Sequence, residues 1–137
     1  MKDSVFFDTN ILVYAHTDLD TVKQSVAQKQ IGVSRTYIST QVLQELGNVL
    51  HRKFKRSWSD VIKVLANAAA NNNLHINNES TIRQACQLAA RYGFSFYDSL
   101  IISAAIESDC TILYSEDLHD GQVIEGKVTV RNPFNPH

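Results

Sequence analysis

The sequence has few cysteines, no surplus of either charge and no long apolar run, and each shortage excludes a class of protein. Its 137 residues contain only Cys86 and Cys110, which form no CxxC pair, so neither a disulfide framework nor a zinc ribbon is expected. The formal net charge of -1 lacks the basic surplus typical of nucleic-acid-binding domains. Because no stretch of about 18 apolar residues occurs, we expect a soluble, cytoplasmic protein without a signal peptide or membrane span.

Length and composition predict one domain over residues 1–137, since 44% of the residues are hydrophobic and suffice for a single packed core. Short apolar segments alternate with helical patterns, which predicts an α/β fold with a mainly parallel sheet flanked by helices in three α/β/α layers. Cys86 is interpreted as a core residue of its helix. Strands are predicted at 4–7, 37–39, 74–76, 111–114 and 127–130. Helices are predicted from residue 9, at 21–31, 41–55, from Ser57 or Ser59 to 72, at 79–92 and at 97–107.

Four carboxylates stand where a charge is unfavourable. Asp8 interrupts an apolar run, and Glu45 lies at the edge of the apolar face of the 41–55 helix. Asp98 is in the first turn of an almost wholly apolar helix, and Asp117 follows the apolar strand TILY. An ionised carboxylate removed from water costs several kcal/mol unless it is paired or bound to a metal.

The predicted sheet gives these acids a common place. Ligands of open parallel sheets bind beyond the carboxyl ends of the strands, where Asp8 and Asp117 are expected. If all four acids met there about 6 Å apart, each pair would repel by roughly 3 kcal/mol at an effective dielectric of about 20. Oxygen donors without clustered histidine or cysteine select Mg²⁺ or Mn²⁺. The residues therefore predict a magnesium or manganese site.

Each acid also has an ordinary structural explanation. Asp8 can cap a helix, Asp98 can interact with a helix dipole, and Asp117 can serve in a turn. Glu45 can be a solvated surface residue. From the residues alone these alternatives stay open, and only the conjunction of four acids favours a site.

Four ordered segments resemble the PIN-domain ribonucleases, in particular the VapC-like toxins of bacterial toxin–antitoxin pairs. Their order and spacing are similar to those of the family, and together they cover nearly the whole chain. The segments are FFDTNILVYA (6–15), STQVLQELGNVL (39–50), FSFYDSLIISAA (94–105) and LYSEDLHDG (113–121).

This resemblance implies an Mg²⁺- or Mn²⁺-dependent endoribonuclease that acts on RNA, is inhibited by a cognate antitoxin and forms a homodimer. It also implies the roles of individual residues, some catalytic and metal-binding and others supporting. The acidic set is Asp8, Glu45, Asp98 and Asp117, with Asn10 and Ser115 orienting ligands or water and Asp120 as a variable fifth acid.

Other interpretations compete with this one. The run HRKFKR (51–56) with Trp58 can bind RNA through phosphate contacts and base stacking, or it can be an ordinary cationic C-terminus of a helix. An aspartyl phosphatase, a receiver-like domain and a catalytically silent PIN-like module that binds RNA or protein are alternative functions. No two of the five histidines have a recognisable spacing, which argues against a metal-free ribonuclease with a histidine pair.

Overall fold

The computed structural model describes residues 3–33 and 35–135, and over these ranges it contains six strands and six helices. The strands are β1 (Ser4–Phe7), β2 (Arg35–Ser39), β3 (Asn73–His75), β4 (Ile112–Tyr114), β5 (Val123–Ile124) and β6 (Val128–Arg131). The helices are α1 (Thr9–His16), α2 (Thr21–Gln30), α3 (Thr40–Arg52), α4 (Trp58–Asn71), α5 (Glu79–Tyr92) and α6 (Phe96–Glu107). None of these helices is long and apolar enough to cross a bilayer.

The strands form one sheet in the order β3-β2-β1-β4-β6-β5, parallel except for β5, which runs antiparallel to β6. In this register Phe6 of β1 lies between Tyr37 and Leu113. Right-handed crossovers place the helices on both faces of such a sheet. The predicted α/β class is therefore confirmed, and the direction of strand addition reverses between β1 and β4.

The core surrounds the central strand. Phe6 and Phe7 of β1 are completely buried, as expected for a strand covered on both faces. In α6 every residue from 99 to 106 is buried, which confirms the helix predicted to be apolar nearly all round. Both elements are packed in the core. β1 ends, and α6 begins, at the edge of the sheet where the predicted acids lie.

Most helix ends follow local chemistry that the sequence contains. Ser57 caps α4 through its side chain, and Gly93 ends α5 in the left-handed conformation with a φ of 78°. The helix predicted to run to residue 55 ends at Arg52 instead. The backbone of Lys55 is left-handed, with a φ of 57°, which an α-helix cannot continue.

One further expectation was wrong, and one strand was missed. Cys86 is exposed, because α5 turns Thr81, Ala85 and Leu88 toward the core instead. The strand β5 was not predicted, since it has only two residues and Val123 is exposed, so it carries no extended apolar pattern.

Candidate active site

A pocket of about 270 Å³ contains all four predicted acids. It lies where Asp8 follows β1 and Asp117 follows β4, at the reversal of strand order that favours ligand binding in parallel sheets. Its walls come from the start of α1, the middle of α3, the first turns of α6 and the segment after β4. The lining residues are Asp8, Thr9, Asn10, Val13, Gln41, Glu45, Val49, Tyr97, Asp98, Ile101 and Asp117.

Asp8 is the buried acid of the pocket, with 7% of its surface exposed. Its Oδ1 accepts a hydrogen bond of 2.7 Å from the backbone N–H of Thr9, and its Oδ2 accepts one of 2.8 Å from the Ser115 hydroxyl. Burial raises the pKa of Asp8 to about 6 against the opposing effect of these two bonds, and the charges of Asp117 and Glu45 raise it further. Asp8 thus caps α1, as one alternative held, and also lines the pocket.

Glu45 is joined to Asp8 through a single residue. The hydroxyl of Thr9 donates a 2.6 Å hydrogen bond to Oε1 of Glu45, while the Thr9 backbone N–H binds Asp8. Glu45 is half-buried in α3, and Gln41 and Val49 lie one turn before and after it along the same wall. The carboxylate predicted at the edge of the apolar face therefore faces the pocket and is not a solvated surface residue.

The remaining two acids differ in exposure. Asp98 is half-buried in the first turn of α6, where its backbone N–H bonds the Ser95 cap at 3.2 Å. Asp117 is exposed, and its Oδ2 accepts a 3.0 Å hydrogen bond from the amide nitrogen of Asn10. The Ser115 hydroxyl also accepts the Asp117 backbone N–H at 3.2 Å, so Ser115 contacts two of the acidic positions.

Two amide oxygens of the pocket lack hydrogen-bond partners. The amide nitrogen of Asn10 is engaged by Asp117, and that of Gln41 donates to the Tyr97 carbonyl at 3.1 Å. These bonds fix which end of each amide faces its neighbour. Asn10 Oδ1 and Gln41 Oε1 are left buried and unpaired in the described structure. An unsatisfied buried acceptor costs about 1–3 kcal/mol, so each oxygen requires a donor or a cation.

The donor set fits a hard cation. The charged side chains that line the pocket are all carboxylates, and the unpaired Oδ1 of Asn10 belongs to another lining residue. Within residues 3–33 and 35–135 no three acidic, histidine or cysteine side chains lie close enough to hold an ion by themselves. Carboxylate oxygens are the ligands that Mg²⁺ takes in proteins, usually one or two of them together with several waters and substrate phosphate.

Two other predicted groups lie away from this pocket. Asp120 accepts the Asn132 backbone N–H at 3.0 Å and the Asn135 side-chain amide at 3.3 Å, so it fastens the C-terminal segment and does not line the site. In the 51–58 segment His51 stacks on Trp58, with ring centroids 3.8 Å apart. Contact of that segment with RNA stays a prediction.

Three polar lining residues were not predicted as site residues, namely Thr9, Gln41 and Tyr97, and neither were the apolar Val13, Val49 and Ile101. A polar face of α3 could have indicated Gln41, since it lies one turn before Glu45 and both would point the same way. Thr9 directly follows Asp8, and Tyr97 directly precedes Asp98. Their side-chain directions depend on the packing of α1 and α6, which no local pattern specifies.

Comparison with known proteins identifies the family of the chain. The sequence model of the family described as PIN domain matches residues 5–119, which include all four acids of the pocket. No curated protein sequence matches the chain significantly.

Several solved structures share the fold. VapC20 of Mycobacterium tuberculosis, a toxin that cleaves the sarcin-ricin loop, is 17% identical with a TM-score of 0.69, covering 82% of this chain and 89% of its own. A toxin–antitoxin complex from Klebsiella pneumoniae is 20% identical with a TM-score of 0.69, covering 96% and 99%. FitAcB of Neisseria gonorrhoeae is 17% identical with a TM-score of 0.60, covering 96% and 99%. At these identities the likeness establishes the fold.

Proposed function

Because the chain belongs to the PIN-domain family, we propose that it is a metal-dependent endoribonuclease, the toxin of a toxin–antitoxin pair. PIN domains are nucleases that generally use divalent metal ions. The observation that carries the proposal is the pocket itself, which collects acids from four distant segments at the reversal point of the sheet. The RNA-cleaving toxin among the structural neighbours supports RNA as the substrate.

We assign the catalytic and metal-binding roles to Asp8, Glu45, Asp98 and Asp117, with Mg²⁺ or Mn²⁺ as the ion. A divalent cation in such a site activates water for attack and offsets the charge that grows on the scissile phosphate. Without it the pocket would repel a phosphodiester, since its four acids carry the same sign as the substrate.

The chain's own hydrogen bonds hold the acids in place before substrate arrives. Thr9 fixes Asp8 and Glu45 relative to each other, because one residue contacts both. Asn10 orients Asp117, and Ser115 orients Asp8. Such pre-orientation reduces the reorganisation needed during the reaction. In this proposal Asn10 and Ser115 act as positioning residues.

The proposal extends to partners and location. An antitoxin partner is supported by the neighbours solved as toxin–antitoxin complexes. A homodimer and a cytoplasmic location complete the proposal, as the resemblance implies. Size-exclusion chromatography with light scattering tests the dimer, and an antitoxin is tested by restored growth when a small neighbouring gene is expressed with this one.

The main experiment incubates the purified protein with mixed RNA and maps the cut ends, with Mg²⁺, with Mn²⁺ and with EDTA. We expect internal cuts with either metal and none with EDTA. Asp98→Asn should lower cleavage at least a hundredfold because it removes a carboxylate from the pocket. Asp18→Asn is the matched control, since Asp18 is exposed between α1 and α2 and lies outside the pocket.

Two results would contradict the proposal. Cleavage that is unchanged by EDTA or by Asp98→Asn would contradict the metal-dependent mechanism. Intact RNA with both metals would favour the silent binding module, and phosphate release from a generic phosphomonoester without RNA cleavage would favour the phosphatase.

A further inference from the structure

A second, smaller pocket of about 240 Å³ adjoins the acidic one. We propose that it binds an unpaired nucleobase of the RNA, next to the phosphate that is cut. This inference rests on the proposed function and adds how the substrate is recognised, through a base turned out of its stack beside the cut. The pocket is lined by Gln41, Gln44, Glu45, Asn48 and Tyr97.

The two pockets are contiguous. Gln41, Glu45 and Tyr97 line both of them, while Gln44 and Asn48 line only the smaller one. A phosphate held among the acids would therefore place the base of an adjoining nucleotide at the smaller pocket. The smaller pocket has no cationic lining residue, so it is not suited to a second phosphate.

The amides come from one face of α3. Residues 41, 44, 45 and 48 follow the i, i+3, i+4, i+7 spacing that aligns side chains along a helix. Gln44 and Asn48 are exposed, and no hydrogen bond to either side chain is found in the part of the chain that the structure describes. Gln41 is 4% exposed, and its Oε1 is buried without a partner.

This set matches the hydrogen-bonding edge of a base. A side-chain amide carries one acceptor and one donor group in a plane, as do the edges of nucleobases. Gln44 and Asn48 are exposed and have both groups available. RNA-binding proteins recognise splayed bases through such edge contacts combined with aromatic stacking.

Tyr97 supplies the aromatic surface. It is 64% exposed although it lines both pockets. Phe96 packs against it edge to face, with ring centroids 5.3 Å apart, which limits the movement of the ring. Stacking of a base on an exposed aromatic ring contributes about 1–3 kcal/mol. Amides alone would suit a peptide as well, but the ring beside a phosphate-binding pocket favours a nucleobase.

The test uses a short single-stranded RNA containing a mapped cut site, with one abasic nucleotide placed at each position in turn. We expect one position next to the cut to lower kcat/KM about tenfold to a hundredfold, mostly through KM. Tyr97→Ala should lower it by a similar factor on intact RNA and cause little further loss on the abasic one. Tyr97→Phe retains the ring and should restore most of the activity.

The amides are tested separately. Gln44→Ala and Asn48→Ala should change the preference among the four bases at that position by about tenfold. Gln87→Ala is the matched control, because Gln87 is an exposed glutamine on α5. As a readout independent of cleavage, 2-aminopurine at that position should be quenched on binding to the Asp98→Asn protein, and Tyr97→Ala added to it should abolish the quenching.

Equal losses at every abasic position, or an abasic effect that Tyr97→Ala leaves intact, would overturn the base pocket while cleavage by the wild type upholds the nuclease. Absence of all RNA cleavage by the wild type would instead refute the proposed function, and 2-aminopurine scanned along the RNA would still test the pocket. Unchanged RNA binding with lost antitoxin binding in Tyr97→Ala would assign the pocket to a protein partner and overturn the inference.

Discussion

Glu116 and Asp117 are neighbours in the chain, yet the structure treats their charges differently. Glu116 forms an ion pair with Lys23 and accepts a 2.7 Å hydrogen bond from the Tyr14 hydroxyl. Asp117 faces the acidic pocket, and its carboxylate is held by the neutral amide of Asn10. Glu116 is thus neutralised by a partner within the fold, whereas Asp117 has no basic partner and remains available to a ligand.

The same division runs through the described residues. Every acid that pairs with a basic side chain there lies outside the pocket, and none of the four pocket acids has such a partner. Clustered acids without a basic partner in a pocket are typical of functional sites, and the four pocket acids follow that pattern. The pairs are Lys23–Glu116, His75–Glu107, Arg83–Glu79 and Arg91–Glu125.

The largest expected effect is an opposite response of stability in the two groups of acids. Asp8→Asn should raise the free energy of unfolding at pH 7 without metal, because a pKa raised from 3.8 to about 6 reflects a penalty for ionising Asp8 in the fold. The gain should be at most about 3 kcal/mol, since the new amide loses the hydrogen bond that Ser115 donates to Oδ2 of Asp8. Glu107→Gln should lower it by about 1–3 kcal/mol, since Glu107 accepts hydrogen bonds from Ser80, Thr81 and His75. Urea unfolding of both variants in EDTA measures the difference.

Cleavage should respond in the reverse order. Asp8→Asn should abolish it, while Glu107→Gln should retain it under conditions where the protein stays folded. A fall in the stability of both variants would show that Asp8 is mainly a helix cap. The distinction between the pocket acids and the acids in ion pairs would then be wrong.

The pH dependence of stability sharpens this contrast. The Asp8 carboxyl ionises near 3.8 when unfolded and near 6 when folded. Well below pH 3.8 the carboxyl is protonated in both states and there is no penalty. The penalty grows as the pH rises from 3.8 to about 6 and is complete above that. The metal-free wild type should therefore lose stability relative to Asp8→Asn as pH rises through this window. A constant difference across pH 4–7 in urea titrations would contradict the raised pKa.

A bound metal should reverse the penalty. If Mg²⁺ or Mn²⁺ binds the pocket in the folded state only, as we propose, a hundredfold excess over its dissociation constant should stabilise the wild type by about 2.7 kcal/mol. Differential scanning fluorimetry should show a rise in Tm that is smaller in Asp8→Asn. Glu107→Gln is the control and should show the full metal-dependent shift; equal shifts in both variants would place the ion elsewhere.

The sequence predicts the positions of the acids better than their surroundings. Asp8 and Asp117 follow predicted strands, and chain direction alone sends both to the same edge of a parallel sheet. Glu45 is indicated by its phase on α3, which depends only on the geometry of a helix. These inferences hold because they use local patterns and one rule of topology.

What was missed depends on how elements pack. The hydroxyl of Thr9 reaches Glu45 across 36 residues of sequence, and Gln41 reaches the Tyr97 carbonyl across 56. Neither contact leaves a pattern in its own segment. Cys86 was assigned to the core for a related reason. Ala85 and Cys86 are adjacent on α5, and the apolar pattern alone does not show which of the two faces the core.

The smallest predicted effect separates the paired acids by burial. Lys23→Met should lower the free energy of unfolding by about 1 kcal/mol, because Lys23 contacts the Tyr14 and Phe134 rings as well as the partly buried Glu116. Arg83→Met is the matched control: its pair with Glu79 is exposed on one face of α5, so its loss should cost no more than about 0.5 kcal/mol. Urea unfolding at low and high salt measures both. Equal losses of stability would mean that these ion pairs contribute through charge alone. The contrast between Glu116 and Asp117 would then concern function only, and Glu116 would not stabilise the segment after β4.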